Sequence, residues 1–275
     1  MVYMNDLYSS KVQASFGSFI IPTRPAVVQA LFRAQEAGDL REVIKLIELD
    51  MGLSAAVMKT VNSAFLGIRE KISTVPRAVN LLGLKNVANL VAGLSLRKIV
   101  TTPRMHDFWE DSARTALVSA HLAQSLGGLD KHQAHLYGLF QDVGKVLMML
   151  NFPNYTETLN FFQSGENLFR RELTNHKTTH GQIGFLLAQN WGLPAVLVDA
   201  IQVHDRYDLF IQKSSNTESR KLIAVTRLAK IMISDDGQFD FGDSEDDQFN
   251  TAVIDHLYLG RDELERLHQE VATLY

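Results

Sequence analysis

Apolar residues recur at three- and four-residue steps along most of the chain. Ala26, Ala30, Leu31 and Ala34 form one stripe, Val43, Ile44, Ile47 and Met51 a second, and Val57, Met58, Val61 and Phe65 a third. Helix boundary signals lie between them: Pro25 at a first turn, Gly38 before Asp39 as an N-cap, Gly52 with Ser54, and Thr74 two residues before Pro76. This spacing predicts short helices of about 10 to 15 residues joined by tight turns, as in a helical bundle. Two longer helices are predicted over 107–126, stopped by Gly127-Gly128, and over 131–150, stopped near Pro153. Further helices are expected over 155–163, 166–176, 179–191, 194–204, 218–233, 248–257 and 262–274. Short β-branched runs such as Phe19-Ile20-Ile21 read as extended entry segments, and no strand pair stands out.

The expected fold class is therefore all-α, a two-lobed multi-helical protein. An N-terminal helical lobe covers 1–103, with a seam at Thr101-Thr102-Pro103, and a second helical lobe covers 104–235. Residues 236–275 hold an acidic loop and C-terminal helices packing on the body. The stretches 214–216 and 235–247 read as surface loops.

Composition narrows the chemistry. With 275 residues and 46% hydrophobic content the chain can bury a sizeable core. Zero Cys excludes disulfide scaffolds, thiolate zinc sites, iron–sulfur clusters and cysteine nucleophiles, so any metal site must use His, carboxylates or neutral oxygens. No apolar run approaches the roughly 18 to 20 residues that span a bilayer. The first residues lack a basic segment followed by a hydrophobic stretch, and a cytoplasmic protein without membrane contact is expected. The net charge of -4 hides an uneven distribution. Seven acids and no base lie between Asp235 and Asp247; without them 24 acids face 27 bases. Lys71, Arg77, Lys85, Arg97, Lys98 and Arg104 fall in a stretch with no acid.

Five features bear on chemistry. In Gln141-Asp142-Val143-Gly144-Lys145 a carboxylate sits in an apolar helix, either as an Asp–Lys pair on a helix edge or as a partly buried charge needing a partner or a metal. In His176-Lys177-Thr178-Thr179-His180 the threonines read as N-caps, so His176 precedes the helix and His180 lies within it, facing inward or to a cleft. The His176/His180 spacing is therefore not read as a paired metal site. His204-Asp205 ends a helix beginning at Pro194, where a His gains from the macrodipole without any further role. Trp109 in Trp109-Glu110-Asp111-Ser112 reads as a core anchor. The segment around Lys85 faintly resembles a helix-hairpin-helix motif, but Lys85 stands where a second glycine is wanted. Six bases over 36 positions also make a weak electrostatic footprint, so nucleic acid is not the expected partner.

Together these pieces resemble the HDOD family, the HD-related output domain of bacterial signalling proteins. The resemblance rests on Ile21-Pro22-Thr23-Arg24-Pro25, Ile47-Glu48-Leu49-Asp50-Met51-Gly52-Leu53, Val61-Asn62-Ser63-Ala64-Phe65, Ile72–Val79 and Leu81-Leu82-Gly83. It continues through Trp109–Ser112, Gly138–Lys145, His180-Gly181-Gln182-Ile183-Gly184, Trp191-Gly192-Leu193-Pro194 and Ala200–Asp205, spanning about Phe19 to Ile233. It implies an HD-like second lobe, similar to metal-dependent phosphohydrolases whose ligands are an early His, a His-Asp doublet, further His residues and a late Asp. In this chain the early His position holds Asp111, the doublet is Gln141-Asp142, and the late Asp falls on Lys230. What survives is Asp142, His180 and His204, with Asp111 and Asp205 as substitutes.

The resemblance thus implies a non-catalytic regulatory output module in bacterial signal transduction, near cyclic-dinucleotide circuits and acting through protein partners. No catalytic residue and no cofactor are expected. A vestigial pocket is expected from Asp111, Gln141, Asp142, Lys145, His180, His204 and Asp205, held together by hydrogen bonds. The rival reading is a phosphohydrolase acting on a nucleotide or phosphoester with a divalent ion (Mn, Mg, Fe or Zn) held by Asp111, Asp142, His180, His204 and Asp205. A third is a nucleic-acid-linked regulator using a basic face of Lys85, Arg97 and Lys98.

Overall fold

Ala26–Glu36 forms the first helix, α1, and buries Val28, Leu31, Phe32 and Ala34 on one face, with Pro25 as its N-cap residue. A computed structural model of the chain describes residues 19–62, 71–100, 105–160, 168–211, 217–234, 239 and 241–274. Phe65, the 101–103 seam, the 214–216 loop, Asp235, Asp236, Asp240 and the Arg97 side chain lie outside them. Helices α2 (Leu40–Glu48), α3 (Met51–Val61), α4 (Val75–Leu82) and α5 (Leu84–Val100) complete the N-terminal group. Asp39 caps α2 through the Glu42 backbone N–H, as its position after Gly38 predicts.

The next boundary is not where Gly52 and Ser54 suggest. Asp50 is the N-cap, accepting from the Gly52 and Leu53 backbone N–H groups at 2.9 and 3.1 Å. Gly52 and Ser54 therefore lie inside α3. Met51 opens α3 and is exposed, so it does not continue the α2 stripe.

The second group begins with α6 (His106–Leu126), the longest helix, ended by Gly127. It packs against α7 (Lys131–Phe140) and against α14 (Thr217–Ser234). The continuous helix expected over 131–150 is two: α7 ends at Phe140 and α8 (Val143–Asn151) begins after a turn at Gln141-Asp142. The turn redirects the chain so that α8 meets α11 (His180–Asn190) backbone to backbone. A Cβ on Gly144 would lie 1.8 Å from the His180 carbonyl oxygen and 2.9 Å from the Gly184 nitrogen. Only glycine allows that approach.

Helices α9 (Tyr155–Asn160) and α10 (Leu168–His176) pack on each other beside α8, and α12 (Ala195–Val203) packs on α11 and α14. Thr179 caps α11 in a capping box with Gln182. A short helix the periodicity did not predict, α13 (Tyr207–Ile211), precedes α14. Helices α15 (Glu245–His256) and α16 (Arg261–Ala272) close the chain, α15 on α13 and α14, α16 on α6 and α14. The acidic stretch is not loop throughout. Ser244 accepts from the Asp247 N–H at 3.1 Å, making Glu245, Asp246 and Asp247 the first turn of α15, where carboxylates suit the helix dipole.

No strand occurs among the described residues, and the fold is all-α. The entry segment is extended, as expected, and crosses the second group. Asn151 exchanges two hydrogen bonds with the Ile20 backbone, the indole N–H of fully buried Trp191 donates to the Pro22 carbonyl at 2.9 Å, and Arg24 donates to the Trp191 carbonyl at 2.9 Å.

Candidate functional site: a buried ionic cluster

The turn between α7 and α8 places Asp142 at the N-cap of α8, where its carboxylate faces α11, α12 and α14 instead of running along a helix edge. Lys145, one turn on, puts its Nζ 2.7 Å from Oδ1, and Lys230 of α14 puts its Nζ 2.5 Å from Oδ2. His204 at the end of α12 sets Nε2 3.3 Å from Oδ1, and His180 at the start of α11 sets Nε2 3.7 Å from it. Burial opposes the Asp142 charge, but the two lysines and His204 hold its carboxyl well below the usual carboxylate range.

The two imidazoles meet Nε2 to Nε2 at 3.1 Å. Hydrogen-bond geometry assigns their protons. His204 Nδ1 donates to the Ile201 carbonyl at 2.8 Å, and His180 Nδ1 donates to Glu172, 2.9 and 2.8 Å from its two oxygens. With both Nδ1 atoms protonated, the facing Nε2 atoms would oppose lone pairs unless one more proton is shared between them. The surroundings of His180 favour that proton: burial disfavours a charged ring, yet Glu172 and Asp205 raise its pKa above the ordinary value. Glu172 is fully buried, and it also accepts from the His180 backbone N–H at 3.0 Å and from the Tyr155 hydroxyl. Burial disfavours its charge, but the His180 ring and these bonds outweigh that and lower its pKa, while burial and Glu172 push the Tyr155 phenol up.

Asp205 stands 3.7 Å from His180 Nε2, and both its oxygens are sealed from solvent without a hydrogen-bond donor. Gln141, Asp142, Lys145 and Lys230 separate two cavities. One of about 280 Å³ also takes in Tyr137, His204, Arg227 and Asp246, and one of about 380 Å³ reaches Asp111, Ser112 and Thr115. The structure thus brings together Gln141, Asp142, Lys145, His180, His204 and Asp205. Asp111 is exposed on α6 at the second cavity and belongs to neither group of converging donors. Trp109 is buried, as a core anchor should be. Of the basic face, Lys85 and Lys98 are both exposed.

Sequence reading missed Glu172, which positions His180. Its signal was present: Leu168, Glu172 and His176 recur at four-residue steps and form the buried face of α10, so the glutamate interrupts a core stripe. It also missed Tyr155 and Arg227, which look like ordinary core and surface residues.

Among the described residues, two sets of three donors lie close enough for an ion: Asp142, His180 and His204, and Glu172, His180 and Asp205. Their Nδ1 bonds to a carboxylate and a carbonyl are also those of metal-bound histidines. Against these donors stand two cations already paired with Asp142. With His180 protonated, Lys145, Lys230 and that ring would balance Asp142, Glu172 and Asp205. With a metal–oxygen bond of about 2 Å, an ion on Asp142 Oδ1 would stand within about 5 Å of the Lys145 ammonium, a repulsion on the order of 5 kcal/mol. In the proton's place it would leave the interior one positive charge in excess. The donors converge, but the two lysines already supply the cationic charge.

The family model for the HDOD domain matches residues 21–207. A protein of Treponema pallidum (strain Nichols) is 27% identical over 205 residues, 71% of this chain and 40% of that protein, so the chain spans well under half the length of this curated relative. Among solved structures, a phosphohydrolase candidate from Shewanella amazonensis SB2B superposes with a TM-score of 0.70 at 20% identity, covering 92% of this chain and 91% of that one. An HDOD domain protein from Geobacter sulfurreducens gives 0.64 at 19% identity, covering 100% and 99%. At such identities the likeness is one of fold, and it extends past the family match to the C-terminal helices. The family match over two thirds of the chain places it plainly: this protein belongs to the HDOD domain family.

Proposed function

We propose that this protein is a regulatory output module of signal transduction that acts through protein contacts and carries out no phosphoester chemistry. The observation that carries the reading is the pair of lysine ammonium groups on the two oxygens of Asp142. A hydrolytic centre of the HD type needs that carboxylate for an ion that activates water. Here it is an internal counter-ion, fixing α8 to α14 and, through His204 and His180, to α12 and α11. The cluster then serves as a rigid seat for the surrounding helices, with residues 1–103 and 104–235 as two lobes and 236–275 packed on them. The fold likeness to a signal-transduction candidate from Marinobacter aquaeolei VT8 agrees with this reading.

The test is elemental analysis of the purified protein with a phosphoesterase panel, with and without Mn²⁺ or Mg²⁺. The expected result is substoichiometric metal and no turnover. Stoichiometric metal and turnover that both vanish in Asp142→Ala would overturn the reading in favour of the phosphohydrolase.

A further inference from the structure

The first turn of α15 lies beyond the family match and closes one side of the 280 Å³ cavity, where Asp246 and Asn250 form part of the wall. It is held by basic residues. Arg227 of α14 donates through Nε to Asn250 at 2.8 Å, lays its guanidinium over Phe249 at 4.4 Å, and pairs with the Asp246 carboxylate at 3.0 Å and its backbone carbonyl at 3.3 Å. Arg170 of α10, next to the lining residue Phe169, pairs with Glu245 at 3.4 Å. Lys230, one turn after Arg227, faces the same cavity with more than a third of its side chain exposed.

The two ends of α15 are held differently. Phe249 and Val253 are buried, Phe249 against Phe210 and Tyr207, and they fix the body of the helix. Ser244, Glu245 and Asp246 are exposed, and their ion pairs are of the individually weak, salt-screened kind. The acidic turn can therefore leave while the rest of α15 stays.

We propose that the rim formed by Arg170, Arg227 and Lys230 is a docking surface for an acidic segment of a protein partner, and that the α15 turn Ser244–Asp247 occupies it in cis as an autoinhibitory stand-in. Charge complementarity selects this occupant: Arg227 and Lys230 line the cavity and Arg170 follows the lining residue Phe169, and the chain already pairs Arg170 and Arg227 with the consecutive carboxylates Glu245 and Asp246 beside a serine. The inference rests on the protein-contact reading above and adds the chemistry of the partner.

The test uses the 275-residue chain in EDTA and a fluorescent heptapeptide copying residues 242–248, followed by anisotropy at low and high salt. Wild type is expected to bind it at least tenfold more weakly than Glu245→Ala/Asp246→Ala, in which the cis turn is released. Binding to that variant falls at high salt, and adding Arg170→Met and Arg227→Met abolishes it; circular dichroism confirms that each variant is folded. A folded released variant that ignores the peptide, or binding that survives loss of both cations, overturns the inference. Either failure leaves the metal and turnover results untouched, so the wider reading stands or falls separately.

Discussion

The N-terminal helices and the α8–α11–α12–α14 group solve the same packing problem with different chemistry. Around α1 to α4 the interior is closed by Val28, Leu31, Val43, Ile47, Val57, Val61, Ala78 and Val79, all fully buried hydrocarbon. In the second group the corresponding space holds Asp142, Lys145, Glu172, His180, His204 and Asp205, whose charges must be matched inside the protein. Hydrocarbon cores tolerate replacement by similar volume, whereas a buried ionic set penalises loss of any one member. The contrast teaches that the polar group is kept at an energetic cost, and that its parts act as a unit.

The largest effect is expected where the unit meets backbone. Gly144→Ala should cost more than about 4 kcal/mol in urea unfolding, because the new methyl group cannot coexist with the His180 carbonyl and forces α8 from α11. An effect below about 1 kcal/mol would show that this contact is loose.

Glu172→Ala comes next, at about 3 to 5 kcal/mol, since it leaves the His180 ring, its backbone N–H and the Tyr155 hydroxyl without their acceptor. Leu31→Ala in the apolar region should cost about 2 to 5 kcal/mol by transfer and cavity terms. The sizes overlap, so the comparison is sharpened by pH. The Leu31→Ala loss should be flat with pH and the Glu172→Ala loss should not.

The raised pKa of His180 stabilises the fold fully below its ordinary value of about 6.5, and that contribution is lost as pH rises through the higher folded value. The lowered pKa values of Asp142 and Glu172 stabilise it above their ordinary values of 3.8 and 4.5 and are lost as pH falls through the folded ones. Wild-type stability should therefore be greatest between about pH 4.5 and 6.5, with a descending slope above that window of up to about 1.4 kcal/mol per pH unit. Glu172→Gln should flatten that slope. A slope identical in the two proteins would detach the proton from the cluster.

The apolar region was the more legible in sequence. Its stripes repeat at helical spacing and Asp39 and Thr74 mark their starts. The second group was legible as a set of motif residues but not as a geometry. Asp142 lies in a run whose apolar pattern continues unbroken from Leu136 to Leu150, so nothing local announces the turn that exposes its carboxylate to four helices. Lys230 looked like a poor substitute for a ligand because its partner is 88 residues away. Glu172 was passed over because an acid on a polar helix attracts no notice until the face it occupies is known to be buried.

The central claim is that two lysines and a proton occupy the electrostatic role of an ion. Calorimetric titration of the EDTA-treated protein with Mn²⁺ at pH 7 tests it most directly, with Lys230→Met alongside. The account predicts no binding in the micromolar range for wild type and a measurable gain in Lys230→Met, accompanied by proton release from the histidine pair. One equivalent of Mn²⁺ bound tightly by wild type, with no gain on removing Lys230, would contradict it.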